Sequence, residues 1–256
     1  MSGKSYRVAA LLCAVLALPA TALALEGPLD GSQHPSVGYL FGQQTDPSTC
    51  HGEIISTCSA TLLSSTVLVT TGSCADQFLH PEEYGYTLTA IWISFNPDNS
   101  FDCSSAMRVA SIAEHPLFDE MVLDSPYNIG VFTLASPAAG TPATLPAAGS
   151  LSTLVHGQDL EVAEYGPDHN GNVLTQRRRL AAARLASQDA DLQKLHLGNG
   201  DHVCFGNYEG GAAFFPSSQN LASLSLGLAS GCKSGQFLRL DTSTSRDFLD
   251  DFVTVP

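Results

Sequence analysis

The chain has 256 residues, of which 44% are hydrophobic and 14% are charged, and its formal net charge is −14 at pH 7. The excess of 25 acidic over 11 basic side chains excludes nucleic acid and anionic membrane surfaces as expected partners. The length suits one compact domain or two small ones.

The first 24 residues are predicted to be a secretory signal peptide. Lys4 and Arg7 form a basic start, and the apolar run Val8–Leu18 that follows is too short to span a bilayer. Small residues at the end of this segment favour cleavage after Ala24, which leaves a mature chain of residues 25–256. We therefore expect a secreted protein. No later apolar run approaches the roughly 20 residues that a membrane helix needs, so no membrane partner is expected.

Short apolar runs separated by clusters of Pro, Gly, Asn, Asp and Ser fill most of the mature chain. This pattern is typical of short β-strands joined by turns. The clearest runs are 36–41, 61–71, 88–95, 128–134, 159–166, 212–215, 221–230 and 235–240.

Two segments depart from the strand pattern. Residues 136–149 are rich in Pro, Ala and Gly and are predicted to link two β halves, at about 25–135 and 150–240. Residues 242–253 are predicted to form a helix, because a Ser/Thr cap precedes aromatic and aliphatic residues at helical spacing. The pattern therefore predicts an all-β chain with a C-terminal helix.

Six cysteines remain after the signal peptide, and an even number in an exported chain predicts three disulfides. Sequence alone leaves their pairing open. No closely spaced Cys-x-x-Cys pair occurs, so we expect no zinc site. No cofactor is expected either. These cysteines are Cys50, Cys58, Cys74, Cys103, Cys204 and Cys232.

Three short motifs lie far apart along the chain. They are TTGSC at Thr70–Cys74, NIGV at Asn128–Val131, and CFGNYEGG at Cys204–Gly211. Their order and flanking residues resemble the segments that carry the catalytic His, Asp and Ser of trypsin/chymotrypsin-like serine proteases, in their exported microbial form. The resemblance covers nearly the whole mature chain. It implies two six-stranded antiparallel β-barrels with a cleft between them, followed by a C-terminal helix.

All three catalytic positions are substituted relative to that family. Ser73 stands at the position of the histidine, and Asn128 stands at the position of the aspartate. At the serine position, counting from Cys204 gives Tyr208, whereas counting back from the two glycines gives Glu209, so both remain candidates. Serine cannot be the base near neutral pH, and asparagine in place of the aspartate favours the wrong histidine tautomer. The resemblance thus implies an endopeptidase fold without an intact triad.

Disulfide pairing is a further implication of the resemblance, because two cysteine pairs match pairings found in that family. The remaining two cysteines then form the third pair. The pairs so implied are Cys58–Cys74, Cys204–Cys232 and Cys50–Cys103.

The expected function is that of a secreted, monomeric and catalytically inactive protease homologue that binds a peptide or protein in the cleft. His202 is expected at the base of the specificity pocket, with Gly227, Gly235 and Phe237 on the strands that line the groove. One alternative is an active serine-type endopeptidase with non-standard catalytic residues. The other is a disulfide-stapled scaffold that binds through its loops. The triple-arginine run at 177–179 is expected to be solvated.

Overall fold

The computed structural model of the protein describes residues 28–98, 103–166, 177–191, 193–198, 209–229 and 234–256. Within these residues, twelve β-strands form two closed, six-stranded antiparallel barrels, and an α-helix lies near the C-terminus. This confirms the predicted all-β fold of two barrels with a C-terminal helix. In the same part of the chain, no helix is long and apolar enough to cross a membrane.

The first barrel closes in the strand order β1-β2-β3-β6-β5-β4. Its interior is filled by Leu40, Leu62, Leu68, Ile93 and Phe132, each completely buried. These side chains alternate with residues that face outward, as a pleated strand requires. Its strands are β1 (Val37–Gln43), β2 (Ile54–Leu62), β3 (Val67–Thr70), β4 (Ala90–Ser94), β5 (Met107–Glu114) and β6 (Gly130–Leu134).

The second barrel closes in the order β10-β11-β12-β9-β8-β7. A 3-10 helix, Ser150–Thr153, precedes it, and Leu160, Val162, Leu195 and Leu197 fill its interior. Its strands are β7 (Asp159–Gly166), β8 (Arg177–Asp189), β9 (Lys194–Gly198), β10 (Ala212–Phe214), β11 (Leu221–Ala229) and β12 (Ser234–Arg239).

The structure corrects two residues predicted to line the cleft. Phe237 is 0% exposed and packs in the core of the second barrel. Gly235 lies two residues earlier in β12 and is also buried. Residues two apart on a strand share one face, so both positions face the barrel interior rather than an open groove. The prediction that they form a groove wall is therefore wrong.

The barrels pack against each other through a shared apolar cluster. Tyr39, Phe41 and Val69 of the first barrel belong to the same cluster as Tyr165 and Phe214 of the second. Burying large aromatic side chains supplies most of the favourable free energy at such a contact. Residues 136–149 connect the two halves and contain no strand, although Thr144 forms an isolated bridge with Asn220.

In the described part of the chain, two short α-helices accompany the barrels. The helix α1 (Gly72–Leu79) was not predicted, and Thr71 caps it by accepting a hydrogen bond from the Cys74 backbone N–H at 3.3 Å. The helix α2 (Ser243–Leu249) lies inside the predicted segment 242–253 but is shorter.

A buried ion pair ties the N-terminal segment to β8. Arg178, the middle residue of the arginine run, is 1% exposed, so the expectation that this run is solvated fails there. Its Nε donates to Asp30 at 2.6 Å, and its guanidinium also donates to the carbonyls of Gly31 and Val37. Burial alone would raise the pKa of Asp30, but hydrogen bonds from His34 and the charge of Arg178 outweigh it and lower the pKa.

Two of the three expected disulfides are confirmed. Both join segments of the first barrel, with Cα–Cα distances of 5.5 and 6.3 Å that fall in the usual range for such bridges. The expected third pair, Cys204–Cys232, lies outside the described residues. The confirmed pairs are Cys50–Cys103 and Cys58–Cys74.

Candidate functional site

Ser73, Asn128 and Glu209 meet at one point, although they come from three distant parts of the chain. The backbone N–H of Ser73 donates to Asn128 Oδ1 at 2.9 Å, and the Ser73 hydroxyl lies 3.2 Å from the same oxygen. The Ser73 hydroxyl also donates to Glu209 Oε2. Glu209 directly precedes the second barrel's β10 region, whereas the other two residues belong to the first barrel. The site therefore spans both barrels.

Helix α1 places Ser73 in its first turn, against β6. A Cβ atom at Gly72 would lie 2.8 Å from the Phe118 ring, and one at Gly130 would lie 2.6 Å from the Ala75 Cβ. Each distance is too short for any larger residue without a shift of its neighbours. The glycines of the first two motifs thus allow the helix and the strand to approach closely, which brings the residues beside them together.

Asn128 is completely buried and its amide orientation is fixed. Its Nδ2 donates to the Leu123 carbonyl at 2.7 Å, so Oδ1 faces Ser73 and accepts from it. The hydrogen bonds satisfy both ends of the amide, as burial requires. An amide in this position carries no negative charge, so it would stabilise a cation opposite less than a carboxylate would.

Glu209 is held by its backbone as well as by its side chain. Ser59 of β2 donates its N–H to the Glu209 carbonyl at 2.9 Å. Gly210 follows with φ +80°, and a Cβ there would lie 2.0 Å from the Ser59 carbonyl oxygen, so only glycine fits. Burial raises the pKa of the Glu209 carboxyl above its usual range, although hydrogen bonds from Ser73 and Thr71 oppose this.

Of the two registers left open by the sequence, the structure places Glu209 beside Ser73. Tyr208 lies outside the described residues, as do the predicted pocket residue His202 and the motif cysteine Cys204. No hydrogen bond joins a histidine to Ser73 or Glu209 within the part of the chain that the structure describes. The site as described holds a hydroxyl, an amide and a carboxyl group, but no imidazole base.

Gly227, a predicted cleft residue, lies directly beside this site. It is half-buried with φ +66°, and a Cβ there would lie 2.7 Å from Glu209 Cγ. Pairing between β11 and β12 is interrupted at this point. Ser225 pairs with Phe237 and the next pair is Ala229 with Gly235, so the residues between have no partner in β12, which is described in full. The sequence analysis did not predict this interruption of the pairing between β11 and β12.

Solved structures with a similar fold settle the architecture. The Vibrio cholerae VesB protease superposes with a TM-score of 0.64 at 14% identity, over 89% of this chain and 66% of that one. HL collagenase superposes with a TM-score of 0.65 at 13% identity, over 89% of this chain and 97% of that one. A mutant of human heparin binding protein superposes with a TM-score of 0.64 at 14% identity, over 90% of this chain and 95% of that one.

The chain has the trypsin-like serine protease fold. No protein-family model and no curated protein sequence matches it. The likeness is thus one of architecture, and the chain spans about two thirds of the VesB protease. Within a trypsin-like fold the boundary between the barrels is where a catalytic triad would lie. Here that boundary holds Ser73, Asn128 and Glu209.

Proposed function

We propose that this protein is a secreted, catalytically inactive homologue of the trypsin-like serine proteases that binds an extended peptide or protein segment next to Glu209. The observation that carries this proposal is the hydrogen bond from Ser73 to Glu209. It joins the positions of the base and the nucleophile, and neither residue has the chemistry that its position demands. The trypsin-like architecture supports the proposal, because proteases of this fold bind their substrates at the boundary between the two barrels.

Inactivity follows from the chemistry of proton transfer. In a trypsin-like mechanism an imidazole takes the proton of the serine, and a carboxylate fixes the imidazole tautomer. Asn128 in place of that carboxylate would by itself lower turnover by about 10⁴ in such an enzyme. Ser73 in place of the imidazole removes the base itself.

The Ser73–Glu209 contact also suggests how an active enzyme would have to work, with Ser73 as nucleophile and Glu209 as its base. Two features oppose this alternative. Ser73 is only 4% exposed, so a substrate carbonyl cannot approach its hydroxyl without a rearrangement. Its backbone N–H is engaged by Asn128 and is not available to stabilise an oxyanion. A fluorophosphonate probe tests the alternative directly, because it labels an activated serine in stoichiometric amounts.

Peptide binding is supported by the interrupted edge of β11. Leu226, Gly227 and Leu228 have no partner in the register of β12. The Gly227 N–H donates to Ser225 Oγ at 3.4 Å, so the other main-chain groups of this stretch are the ones suited to pairing with an added strand. The ligand of the human neighbour is heparin by its name. With 25 acidic and 11 basic residues, this chain is poorly suited to such a polyanion. We therefore expect a peptide without strong negative charge.

Export is supported by the two disulfides of the first barrel. Structural disulfides persist in oxidising compartments and are rare where thiols are kept reduced. The signal peptide predicted at residues 1–24 agrees with this, although it lies outside the described residues.

A selection from a displayed library of random peptides tests the binding proposal. Leu228 is half-buried on the interrupted edge, and Leu228→Glu should weaken binding of the selected peptides at least about tenfold. Val155→Glu is the matched control, since it places the same charge at a 66% exposed apolar position before β7. Equal binding by the parent and a folded Leu228→Glu variant would contradict the proposal and favour recognition through the loops. An empty selection against the parent protein would also contradict it.

A further inference from the structure

Three side chains that commonly ligate metals meet at the C-terminal end of α1, at the opposite end of the helix from Ser73. They are Asp76, His80 and Glu114, and their ligand atoms all lie within 4.8 Å of one another. We propose that these three residues form a binding site for a divalent transition-metal ion such as Zn²⁺. The proposal is independent of the proposed function, because among the described residues no side-chain hydrogen bond joins any of the three to Ser73, Asn128 or Glu209.

Local structure brings the three side chains to one place. Asp76 and His80 are four residues apart, so they lie on the same face of the helix. The His80 backbone N–H donates to the Asp76 carbonyl at 2.8 Å, which fixes His80 as the last residue of the turn. Glu114 ends β5 and pairs with Gly130, the residue against which α1 packs. The ligands therefore sit on two elements whose contact is already fixed.

Glu114 has a buried carboxyl oxygen that lacks a partner in the described structure, and a bound cation would supply one. Its Oε2 is buried and has no hydrogen-bond partner in the described residues. In the same part of the chain, His80 forms no ion pair with Asp76 or Glu114. A buried carboxylate oxygen without a partner is costly, and a bound ion removes that cost.

The ligand set indicates the class of metal. Calcium and magnesium prefer all-oxygen sites, whereas one imidazole with two carboxylates suits zinc and related transition metals. Ligand atoms around a tetrahedral zinc ion are about 3.3 Å apart. The three ligand atoms here lie within 4.8 Å of one another, so small side-chain rotations bring them to that distance. Tyr84 donates its hydroxyl to Asp76 Oδ2 at 2.6 Å, the kind of outer contact that orients a metal-binding carboxylate.

The proposed site differs from the expectation from sequence, which was that no zinc is bound because no Cys-x-x-Cys pair occurs. That criterion detects structural cysteine sites only. The Asp-x-x-x-His spacing was visible from Asp76 to His80. This spacing indicated a shared site only once α1 was known to be a helix, because side chains four residues apart are neighbours on a helix.

Titration of the tag-free mature protein with ZnCl₂, followed by calorimetry and thermal unfolding, tests the site. We expect one ion per chain and a rise in Tm of about 5–10 °C when free zinc is about 100 times Kd. His80→Gln and Glu114→Gln should each abolish that site. His156→Gln, which removes an exposed histidine from the loop before β7, is the control and should bind as the parent does.

A further variant keeps the test decisive if a ligand substitution unfolds the protein. Tyr84→Phe retains all three ligands and removes only the hydrogen bond to Asp76, so zinc affinity should fall by about 10–100-fold. The proposal is overturned if the parent binds no zinc. It is equally overturned if folded His80→Gln and Glu114→Gln variants bind as the parent does, or if Tyr84→Phe leaves the affinity unchanged.

Discussion

The hydroxyl group of Ser73 donates a hydrogen bond to the Glu209 carboxyl oxygen Oε2, although the residues lie 136 positions apart and belong to different halves of the molecule. In an active trypsin-like enzyme the corresponding contact joins the imidazole base to the nucleophilic oxygen. Here the contact between the barrels joins a hydroxyl group and a carboxyl group. In our account the pair helps to hold the two barrels together.

The first prediction concerns the buried carboxyl of Glu209. Its pKa in the folded protein is raised by burial above the ordinary value of 4.5, so the native state keeps the proton to a higher pH than the unfolded chain does. The resulting stability is fully present below the unfolded pKa and is lost as the pH rises through the folded pKa. Glu209→Gln removes this dependence, so the variant should be more stable than the parent at neutral pH.

Urea unfolding of both proteins across a pH series checks this prediction. The stability difference should shrink toward zero as the pH falls below the ordinary value of 4.5. Glu120→Gln removes a carboxyl at an exposed position and serves as the control. A constant difference between parent and Glu209→Gln at all pH values would show that the titration of Glu209 is not its cause.

The second prediction compares two arginine–aspartate pairs. Arg178 and Asp30 are 1% and 0% exposed, whereas Arg184 and Asp159 are 70% and 65% exposed. Breaking a buried pair leaves an uncompensated charge, so Arg178→Leu should lower the unfolding free energy by about 3–5 kcal/mol. The same change at Arg184 should cost less than about 1 kcal/mol. Chemical denaturation measures both, and equal losses would mean that the buried network does not anchor the N-terminal segment.

Much of this fold could be predicted from the sequence, because short apolar runs alternate regularly with clusters of turn-forming residues. The expected triad positions were inferred from the surroundings of Ser73 and Asn128, where glycines and a cysteine resemble the family's motifs in type and spacing. The motif itself could not decide between Tyr208 and Glu209. Glu209 is placed beside Ser73 by a contact between barrels, the hydrogen bond from the Ser59 N–H to the Glu209 carbonyl, which no sequence motif records.

Other features depended on tertiary structure and could not be predicted. Arg178 reads as a surface residue, yet it is buried because Asp30 and several carbonyls satisfy its donors. Phe237 was assigned to the cleft because the sequence does not show which alternate residues of β12 point into the barrel. The structure shows that Phe237 is one of the inward-facing residues. Helix α1 is eight residues long and begins with glycine, so local propensity gave little signal.

The third prediction concerns the pair of cysteines outside the described residues. By resemblance, Cys204 and Cys232 should form a disulfide in the mature protein. Non-reducing proteolysis followed by mass spectrometry should recover one peptide pair joined by these two cysteines, next to those of the two bridges in the first barrel. A free thiol at Cys204, or a link from either residue to another cysteine, would contradict the assignment.

The fourth prediction concerns restoration of catalysis. Ser73→His with Asn128→Asp supplies a base and its orienting carboxylate but leaves Glu209 at the position of the nucleophile. We therefore expect no hydrolysis above background. Replacing residues 207–209 by Asp-Ser in the same variant restores the spacing of the family's loop, and weak hydrolysis of peptide substrates should appear only then. Equal activity without the loop change would show that the nucleophile has been misplaced.

The central claim is that the native site does not cleave peptides, and it can be tested without assuming a catalytic residue. The purified mature protein is incubated with a complex peptide library, and new termini are counted by mass spectrometry against a buffer control. Our account predicts no cleavage above that control, with or without added Zn²⁺. Reproducible cleavage that disappears in Ser73→Ala or Glu209→Gln would contradict it and would establish an active endopeptidase with non-standard residues.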